Sequence, residues 1–388
     1  MRVVIAPDKF KGSLSAPDVA EHLATGLRAG FGQGIEATRI PVADGGEGTI
    51  DAAIGSGFTR RTTTVTGPLG EPVKADFAIK DQEAVIEMAA ASGLALLPEG
   101  PSSVTAKTAN SIGTGELIRA ALDLGCRKII LGVGGSANTD AGAGVLQGLG
   151  AVFLDKDGNE LPGGGAALAD IDSIDFSNFD VRVEATEFVL ASDVDNPLLG
   201  ASGAPAIFGP QKGATPEDVT SLDAAASHFV DVLAATTGQH AKYAAKAEGA
   251  GAAGGVGYIA IAALKAERRP GIDVVLEFTE LEQRLKGADL VITGEGSLDE
   301  QSLLGKTPMG VARAAQRHGV PVIAVCGRST LSREQLTDAG FHTVHALTDL
   351  EKDVQKCIAE AGPLLEQLGK HIGVYLAERT ENKEYLNV

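Results

Sequence analysis

Residues 2–18 read RVVIAPDKFKGSLSAPD and contain the pattern that decides the fold. An apolar run at residues 2–6 gives way to a polar loop, which is typical of a buried strand ending at a turn. Ser15 then precedes Pro17 and Asp18, a combination typical of a helix N-terminus with proline in its first turn. The stretch therefore predicts strand, loop and helix, the first βα unit of a parallel sheet.

Alternating strands and helices like those of this opening are predicted again near the end of the chain. Further strands of the same kind are predicted at 36–42, 289–293, 321–325 and 343–347, with helices between the later ones and a long helix after residue 349. Short strands between residues 62 and 88 follow in hairpin sequence instead. We therefore expect an α/β domain in two pieces, residues 1–60 plus 282–388, interrupted by a mixed α/β domain, residues 61–281.

Composition and charge exclude several classes of protein. Apolar residues make up 44% and charged residues 22% of 388, which is typical of a globular protein, and apolar stretches such as 256–264 are too short to cross a bilayer. The net charge of −18 repels nucleic acids and anionic membranes, so neither is an expected partner. The chain opens without a signal-like segment, and its three cysteines lack C-x-x-C spacing, so we expect a cytoplasmic protein without a disulfide framework.

Acidic side chains follow several of the predicted strands. Asp8, Asp44 and Glu295 come after strands of the first domain, and Asp193 and Asp195 follow a strand of the inserted one. Ligands bind at the carboxyl ends of strands in open parallel sheets. Any one of these residues could be a helix cap or a solvated loop acid. Together they favour a magnesium-dependent transfer, because Mg²⁺ takes one or two carboxylates plus substrate phosphates.

A glycine-rich loop follows another predicted strand. Residues 132–144 read GVGGSANTDAGAG and run into a predicted helix, which offers unobstructed N–H groups to a phosphate. A tight turn selected for packing is the alternative interpretation. Lys11, in the loop after the first strand, can reach an anion bound there, although a surface lysine is equally compatible with the pattern.

Two familiar nucleotide-binding motifs fail on inspection. Residues 249–254 read GAGAAG and match G-x-G-x-x-G, but the preceding residues 242–248 are charged and rich in alanine, unlike a buried strand. The GKT at 305–307 lacks the first P-loop glycine, because position 300 is glutamate. A nicotinamide-dependent dehydrogenase is therefore disfavoured, whereas a non-catalytic protein that binds small anions stays an alternative to an enzyme.

Six segments of the chain form a set with a defined order and spacing. They are APDKFKGSLSA at 6–16, ADGGEGT at 43–49, the loop 134–144, DVDNPL at 193–198, FGPQKGA at 208–214, and TGEG at 293–296 followed by Asp299, Gln301, Gly305, Lys306 and Pro308. In order and spacing these segments resemble bacterial type I glycerate kinases over almost the whole chain. The chain departs from the usual family pattern at Lys9, Ala141 and Ser297, and no phosphate-binding role is expected at position 297.

The resemblance implies a fold, a reaction and a set of site residues. It implies a Rossmann-like domain interrupted by a second α/β domain, with the active site in the interdomain cleft. The implied reaction is phosphorylation of D-glycerate by ATP with Mg²⁺, giving 2-phosphoglycerate, and 3-phosphoglycerate is the alternative product. No oligomeric state is implied.

The expected roles follow from this reaction. Asp193 is expected to coordinate Mg²⁺, Lys11 to offset negative charge on glycerate or the transferred phosphoryl group, and Asp44 to accept the hydroxyl proton, with Asp8 and Glu295 as rivals. The expected substrate- and nucleotide-binding residues are Asp8, Ser13, Gly45, Gly46, Gly134, Gly135, Ser136, Asn138, Asp140, Gly142, Glu295 and Lys306.

Overall fold

A computed structural model describes residues 1–303 and 305–381 of the chain. By its internal contacts the chain divides into two compact units. The first unit comprises Met1–Asp44, Asp51–Gly57 and the described part of Ile272–Val388, and the second comprises Gly45–Ile50 and Phe58–Gly271. The domain boundaries expected at 60/61 and 281/282 stay predictions, and residues 382–388 of the expected first domain lie outside the described residues.

The described strands follow one another along the chain as follows: β1 (Arg2–Pro7), β2 (Glu36–Arg39), β3 (Thr59–Thr66), β4 (Pro72–Lys80), β5 (Glu83–Glu87), β6 (Lys128–Gly132), β7 (Val152–Leu154), β8 (Ser173–Asp175), β9 (Glu187–Ala191), β10 (Glu267–Arg269), β11 (Leu290–Leu298), β12 (Val322–Ser329) and β13 (Thr343–Ala346).

The described α-helices are α1 (Ala16–Phe31), α2 (Thr49–Gly55), α3 (Ala89–Ser92), α4 (Ser103–Thr108), α5 (Ile112–Asp123), α6 (Ala143–Gly148), α7 (Ala204–Phe208), α8 (Pro216–Thr237), α9 (His240–Ala244), α10 (Val256–Ala262), α11 (Gly271–Phe278), α12 (Leu281–Leu285), α13 (Glu300–Leu303), α14 (Thr307–Arg317), α15 (Arg333–Asp338), α16 (Leu347–Leu350), α17 (Val354–Ala359) and α18 (Ala361–Glu381). Short 3₁₀ helices lie at Leu94–Leu96, Gly165–Asp170, Val181–Ala185, Pro210–Lys212 and Ala252–Gly255.

The first unit contains a fully parallel sheet in the order β13-β12-β11-β1-β2. Its central strands are buried along nearly continuous apolar runs, as in parallel sheets covered on both faces. The end of β1 meets the middle of β11, where Pro7 pairs with Gly294, and the Asp8 N–H donates to the Gly294 carbonyl oxygen at 2.8 Å. The carboxyl ends of β1 and β11 therefore share one edge of the sheet.

Helices α1 and α18 of this unit pack backbone against backbone. Ser15 caps α1 by accepting a hydrogen bond from the Asp18 N–H, as the sequence predicts. A Cβ atom on Gly26 would lie 2.1 Å from the Glu366 carbonyl oxygen, and one on Gly30 would lie 2.1 Å from that of Lys370. Only glycine permits this approach, so these two positions fix the spacing of the two helices.

The long helix predicted after residue 349 begins only at Ala361, so the prediction is wrong for the residues before it. Two short helices, α16 and α17, precede the long α18. Asp353 explains the break, because its carboxylate accepts hydrogen bonds from the N–H groups of Gln355 and Lys356 and so begins a new helix.

The second unit contains a mixed sheet in the order β10-β9-β6-β5-β4-β3. The hairpin strands β3, β4 and β5 are antiparallel, as the hairpin pattern predicts, whereas β5, β6, β9 and β10 run parallel. Its core includes the packed rings of Phe153, Phe229 and Tyr258. The predicted α/β class with parallel sheets is confirmed. Among the described residues, no helix is both long and apolar enough to cross a membrane.

Candidate active site

Asp8 lies at the carboxyl edge of the first sheet, directly after β1, and is only 8% exposed. Its two carboxylate oxygens accept hydrogen bonds from the Thr307 hydroxyl (2.7 Å) and from the Lys9 N–H (2.6 Å). Burial and the negative charge of Asp44 raise the pKa of Asp8 to about 7, against the lowering effect of the Thr307 hydroxyl. This acid therefore changes its protonation state near neutral pH.

Glu295 and Asp44 share this edge with Asp8. Burial raises the pKa of Glu295, the Ser302 hydroxyl and the Lys306 ammonium lower it, and the charge of Asp44 raises it. Because Asp44 acts on the pKa of both other acids, the three carboxyl groups lie within electrostatic range of one another. Among the described residues, Glu295 Oε1 is buried without a hydrogen-bond partner, so it offers an acceptor to a donor from outside the chain.

Two cations accompany these acids. Lys306 is the N-cap residue of α14, and its charge reaches Glu295. Arg328 on β12 stands opposite Ser297 in the strand register and donates through Nε to the Ser297 hydroxyl at 3.2 Å. Its Nη atoms have no acceptor among the described residues. Sequence reasoning missed Arg328, because its place beside β11 comes from strand pairing and no local motif contains it.

The loop after β1 only partly fits its expected role. Lys11 is exposed, which is compatible with contact to an anion. The Ser13 hydroxyl donates to the Ile358 carbonyl oxygen at 2.6 Å. The expected binding role of Ser13 stays a prediction; in this structure its hydroxyl proton attaches the loop to α17. Sequence reasoning also missed Thr307, whose hydroxyl holds Asp8.

Glycines bring backbone segments together at the carboxyl edge of the second sheet. A Cβ atom on Gly132 would lie 2.4 Å from the Gly45 carbonyl oxygen, and one on Gly134 would lie 2.9 Å from Gly46 Cα. Gly45 has a φ of +87°, and its own Cβ would lie 2.7 Å from Gly271 Cα. The packing interpretation therefore accounts for Gly45, Gly46 and Gly134, whatever they bind.

Glu87, the last residue of β5, anchors the segment that follows Gly45 and Gly46. Its carboxylate accepts hydrogen bonds from the N–H groups of Gly48 (3.0 Å) and Ile50 (2.7 Å). An acid at the end of a predicted strand was a usable signal for this role, although no sequence pattern indicates its hydrogen-bond partners.

Asp193 follows β9 at the same edge and is exposed. One of its oxygens accepts a hydrogen bond from the Gly271 N–H at 2.9 Å. Among the described residues, no cluster of three or more His, Cys, Asp or Glu side chains could hold a metal ion. Mg²⁺ needs only one or two protein carboxylates when phosphates and waters complete its coordination, so an exposed carboxylate at a strand end fits this ion.

The loop after β6 is accessible only at its beginning. Gly135 is exposed and Gly134 half-buried, whereas Ser136 is 7% exposed and Asn138 and Asp140 are fully buried. The Asp140 carboxylate accepts hydrogen bonds within the protein; its donors are the Ser111 N–H and hydroxyl, the Asn138 side-chain amide, and the N–H groups of Gly142 and Gly144.

The expected phosphate contacts of Asn138, Asp140 and Gly142 stay predictions, and in this structure these groups hydrogen-bond within the chain. The N–H groups at the start of α6 already bind a carboxylate of the chain itself, and a buried anion there repels a second one. The sequence shows donors and acceptors of suitable type but not which of them bind each other. Gly134, Gly135 and Ser136 stay candidates for phosphate contact.

Lys212 lies behind this loop and is 1% exposed. Its ammonium donates to the Ser136 hydroxyl oxygen at 2.8 Å and to the Asn138 carbonyl oxygen. Burial lowers the pKa of Lys212 to about 7, although the charge of Asp140 acts to raise it. The sequence placed Lys212 only in a glycine-flanked loop, and its contacts are made by residues more than 70 positions away.

Comparison with known proteins identifies the family. The sequence profile of the glycerate kinase family matches residues 3–377. A glycerate kinase from Bacillus subtilis (strain 168) is 43% identical over 375 residues, 96% of this chain and 97% of the relative. The glycerate 2-kinase of Escherichia coli (strain K12) is 45% identical over 333 residues, 85% of this chain and 86% of that protein.

A solved structure agrees with the sequence comparisons. The crystal structure of a Salmonella typhimurium LT2 protein described as glycerate kinase 2 superposes with a TM-score of 0.84 at 40% identity and covers 98% of this chain and 99% of that one. The fold is thus that of a family of phosphotransferases. The chain belongs to the glycerate kinase family.

Proposed function

We propose that the protein transfers the γ-phosphoryl group of ATP to D-glycerate in a magnesium-dependent reaction that gives 2-phosphoglycerate. The family match supports the acceptor, and the relative named glycerate 2-kinase supports the product. The observation that carries the mechanism is the grouping of Asp8, Asp44 and Glu295 at the end of one sheet. Transfer to an alcohol needs a group that accepts the hydroxyl proton, and a carboxylate at this edge can do so.

Asp44 is the proposed proton acceptor. Both oxygens of Asp8 already accept hydrogen bonds from the protein, whereas Asp44 is half-exposed at the same edge. A protonated Asp8 carries no charge, so it removes the repulsion that two neighbouring carboxylates would feel. Glu295 Oε1, which lacks a donor among the described residues, suits contact with a second hydroxyl of glycerate.

The carboxylate of glycerate needs cations at the same edge. Lys306 and Arg328 supply positive charge beside Glu295 and Ser297, and exposed Lys11 adds a third cation. The paired Nη groups of an arginine match the two oxygens of a carboxylate. Both substrates are anions, so the site needs these cations to offset the negative charge of the acids around them.

The nucleotide phosphates are proposed to lie at the edge of the second sheet, against Gly134, Gly135 and Ser136. Asp193 would hold Mg²⁺ together with the phosphates, and the ion would neutralise charge on the transferred phosphoryl group. The Gly271 N–H fixes one oxygen of Asp193 and so orients the carboxylate. The cytoplasmic location expected from the sequence stays a prediction.

One incubation tests reaction and product together. The full chain is mixed with ATP, Mg²⁺ and D-glycerate, and phosphorus NMR resolves 2-phosphoglycerate from 3-phosphoglycerate. We expect 2-phosphoglycerate and ADP in equal amounts, with neither formed when glycerate is omitted or Mg²⁺ is chelated. A 3-phosphoglycerate signal would replace the product assignment. Binding of both ligands without turnover would favour the small-anion binding protein and contradict the proposal.

A further inference from the structure

Lys212 is a buried cation to which the proposed reaction assigns no role. It is surrounded mainly by backbone: a Cβ atom on Gly254 would lie 3.0 Å from the Lys212 Nζ atom and 2.0 Å from the Asn138 carbonyl oxygen. Ala253, beside it, has a φ of +51°, a conformation that L-residues rarely adopt. A conformation this costly around a lysine indicates a cavity shaped for the ammonium group.

The hydrogen bond between Lys212 and Ser136 fixes the direction of the serine hydroxyl. An ammonium group has donors and no acceptor, so Ser136 Oγ must accept from Lys212. The serine proton is then directed to a different acceptor, and none exists among the described residues. Ser136 is itself 7% exposed and directly follows exposed Gly135, so it lies next to the accessible part of the loop.

We propose that Lys212 is a positioning residue that presents the Ser136 hydroxyl as a hydrogen-bond donor to a phosphate oxygen of the nucleotide. The inference rests on the proposed function, which places nucleotide phosphates at this loop. A donor polarised by a cation binds an anion more strongly than a neutral hydroxyl does. The buried charge also attracts the phosphate directly across a medium of low dielectric constant.

The charges around Lys212 make its protonation state sensitive to a bound anion. Asp140 is the acid whose charge acts on it. Of the elements packed against residues 210–212, α4 carries Lys107, which is paired with Asp218 at 3.1 Å, and neither α7 nor the segment 252–255 carries a charge. A phosphate at Ser136 would therefore add the second negative charge near the ammonium.

Nucleotide affinity should then depend on pH in a defined direction. Below neutral pH Lys212 is charged, and the Ser136 hydroxyl donates outward. Above neutral pH, the neutral amine of Lys212 can accept a hydrogen bond from the Ser136 hydroxyl. The hydroxyl then turns away from the phosphate. Binding favours the charged form and takes up a proton, and the affinity falls as pH rises through about 7.

Calorimetric titration of the full chain with a non-hydrolysable ATP analogue and Mg²⁺ tests this inference. Lys212→Met and Ser136→Ala should each weaken binding by about 10- to 100-fold, the loss typical of a hydrogen bond to a charged group. The double variant should bind no more weakly than Lys212→Met alone, because the Ser136 hydroxyl acts through Lys212. Lys107→Met removes a lysine near the same segment and should bind like the wild type.

Repeating the titrations from pH 6 to 9 in buffers of different ionisation enthalpy measures the proton uptake. The analogue's own titration is common to all variants, so the difference between wild type and Lys212→Met isolates the lysine. Uptake should shrink in both Lys212→Met and Ser136→Ala. A merely structural lysine would lower stability and leave this pH dependence in Ser136→Ala unchanged.

The outcomes separate this inference from the proposed function. Wild-type affinity and pH dependence in Ser136→Ala would overturn the inference, even if Lys212→Met failed to fold. If wild type makes phosphoglycerate while both variants bind the analogue normally, the reaction stands and Lys212 has no part in it. If wild type makes none from ATP and D-glycerate, the proposed function fails first.

Discussion

The edge of the first sheet presents acids, whereas the edge of the second sheet presents backbone and a buried cation. Burial raises the pKa of Asp8 and lowers that of Lys212, and both values come to about 7 from opposite sides. Each pKa shift disfavours the charged form of its group. Burying either group therefore lowers the stability of the folded chain, and the chain retains it nevertheless. Under the proposed function, the first edge receives the hydroxyl proton and the second edge receives the nucleotide phosphates.

The largest effect is expected from Asp44→Asn, which tests whether the first edge provides the proton acceptor. Loss of a proton acceptor should lower kcat by about 10²- to 10⁴-fold, while affinity for an ATP analogue stays near the wild-type value. Steady-state kinetics and calorimetry on one preparation measure both. Asp51→Asn, in the first turn of α2, is the matched control and should keep its activity. Weak analogue binding with an unchanged kcat would move Asp44 to the nucleotide site.

The next largest effect is expected at the other edge. Asp193→Asn should lower kcat by at least about 10²-fold at saturating Mg²⁺, because a weakened magnesium ligand stabilises less of the charge in phosphoryl transfer. Asp195→Asn is the control, since Asp195 is exposed and pairs with Arg268. Near-normal turnover of the Asp193 variant would refute the metal assignment.

Arg328→Gln tests whether the first edge also binds the substrate anion. Removal of this guanidinium should raise the KM for glycerate about fivefold to tenfold, since an exposed charged contact contributes modestly. The kcat and the analogue affinity should change little. Arg333→Gln, an exposed arginine at the start of α15, controls for loss of net charge. An equal rise in KM in both variants would show a nonspecific charge effect.

The smallest effect concerns stability, and Asp8→Asn measures it. From its ordinary pKa of 3.8 up to about 7, the folded chain keeps a proton on Asp8 that the unfolded chain releases. The free energy of unfolding therefore falls as pH rises through this range, by up to about 1.4 kcal/mol per pH unit. Asp8→Asn should not show this decrease in the free energy of unfolding, because asparagine does not titrate.

Melting temperatures at pH 5 and pH 8 give the comparison. Asparagine has one acceptor oxygen, so either Thr307 or the Lys9 N–H loses its partner, and the absolute change in Tm is not diagnostic. The difference between variant and wild type should shift in favour of the variant as pH rises. Exposed Asp157→Asn should show no such shift. Parallel pH curves for Asp8→Asn and wild type would contradict the raised pKa.

Local signals in the sequence account for much of the fold. Ser15 and Thr215 are each followed three residues later by aspartate, and both cap their helices; the cap at Ser15 was predicted. The alternating and apolar runs locate most strands to within a few residues. The break at Asp353 was missed, because an apolar helical pattern continues across it and one cap decides where the helix restarts.

The sequence predicted the residues of the candidate site only where they lie at the ends of strands. Asp8 and Asp44 follow parallel strands that end at one edge, a rule that a sequence can supply, whereas Glu295 lies within β11, which extends past the end of β1. The burial of Asn138 and Asp140 was not predictable, since it depends on partners such as Ser111 that no local pattern reveals. Lys212 and Arg328 were missed for the same reason.

The glycine contacts between α1 and α18 also set an order of events during synthesis. Phe31 and Ala361 are 330 residues apart, so α1 leaves the ribosome well before its packing partner exists. At about 5–20 residues per second this delay lasts on the order of 15 to 70 seconds. The intervening unit has time to fold, while β1 and α1 keep their apolar faces uncovered. A chaperone that binds the nascent chain would therefore find its target in these first elements.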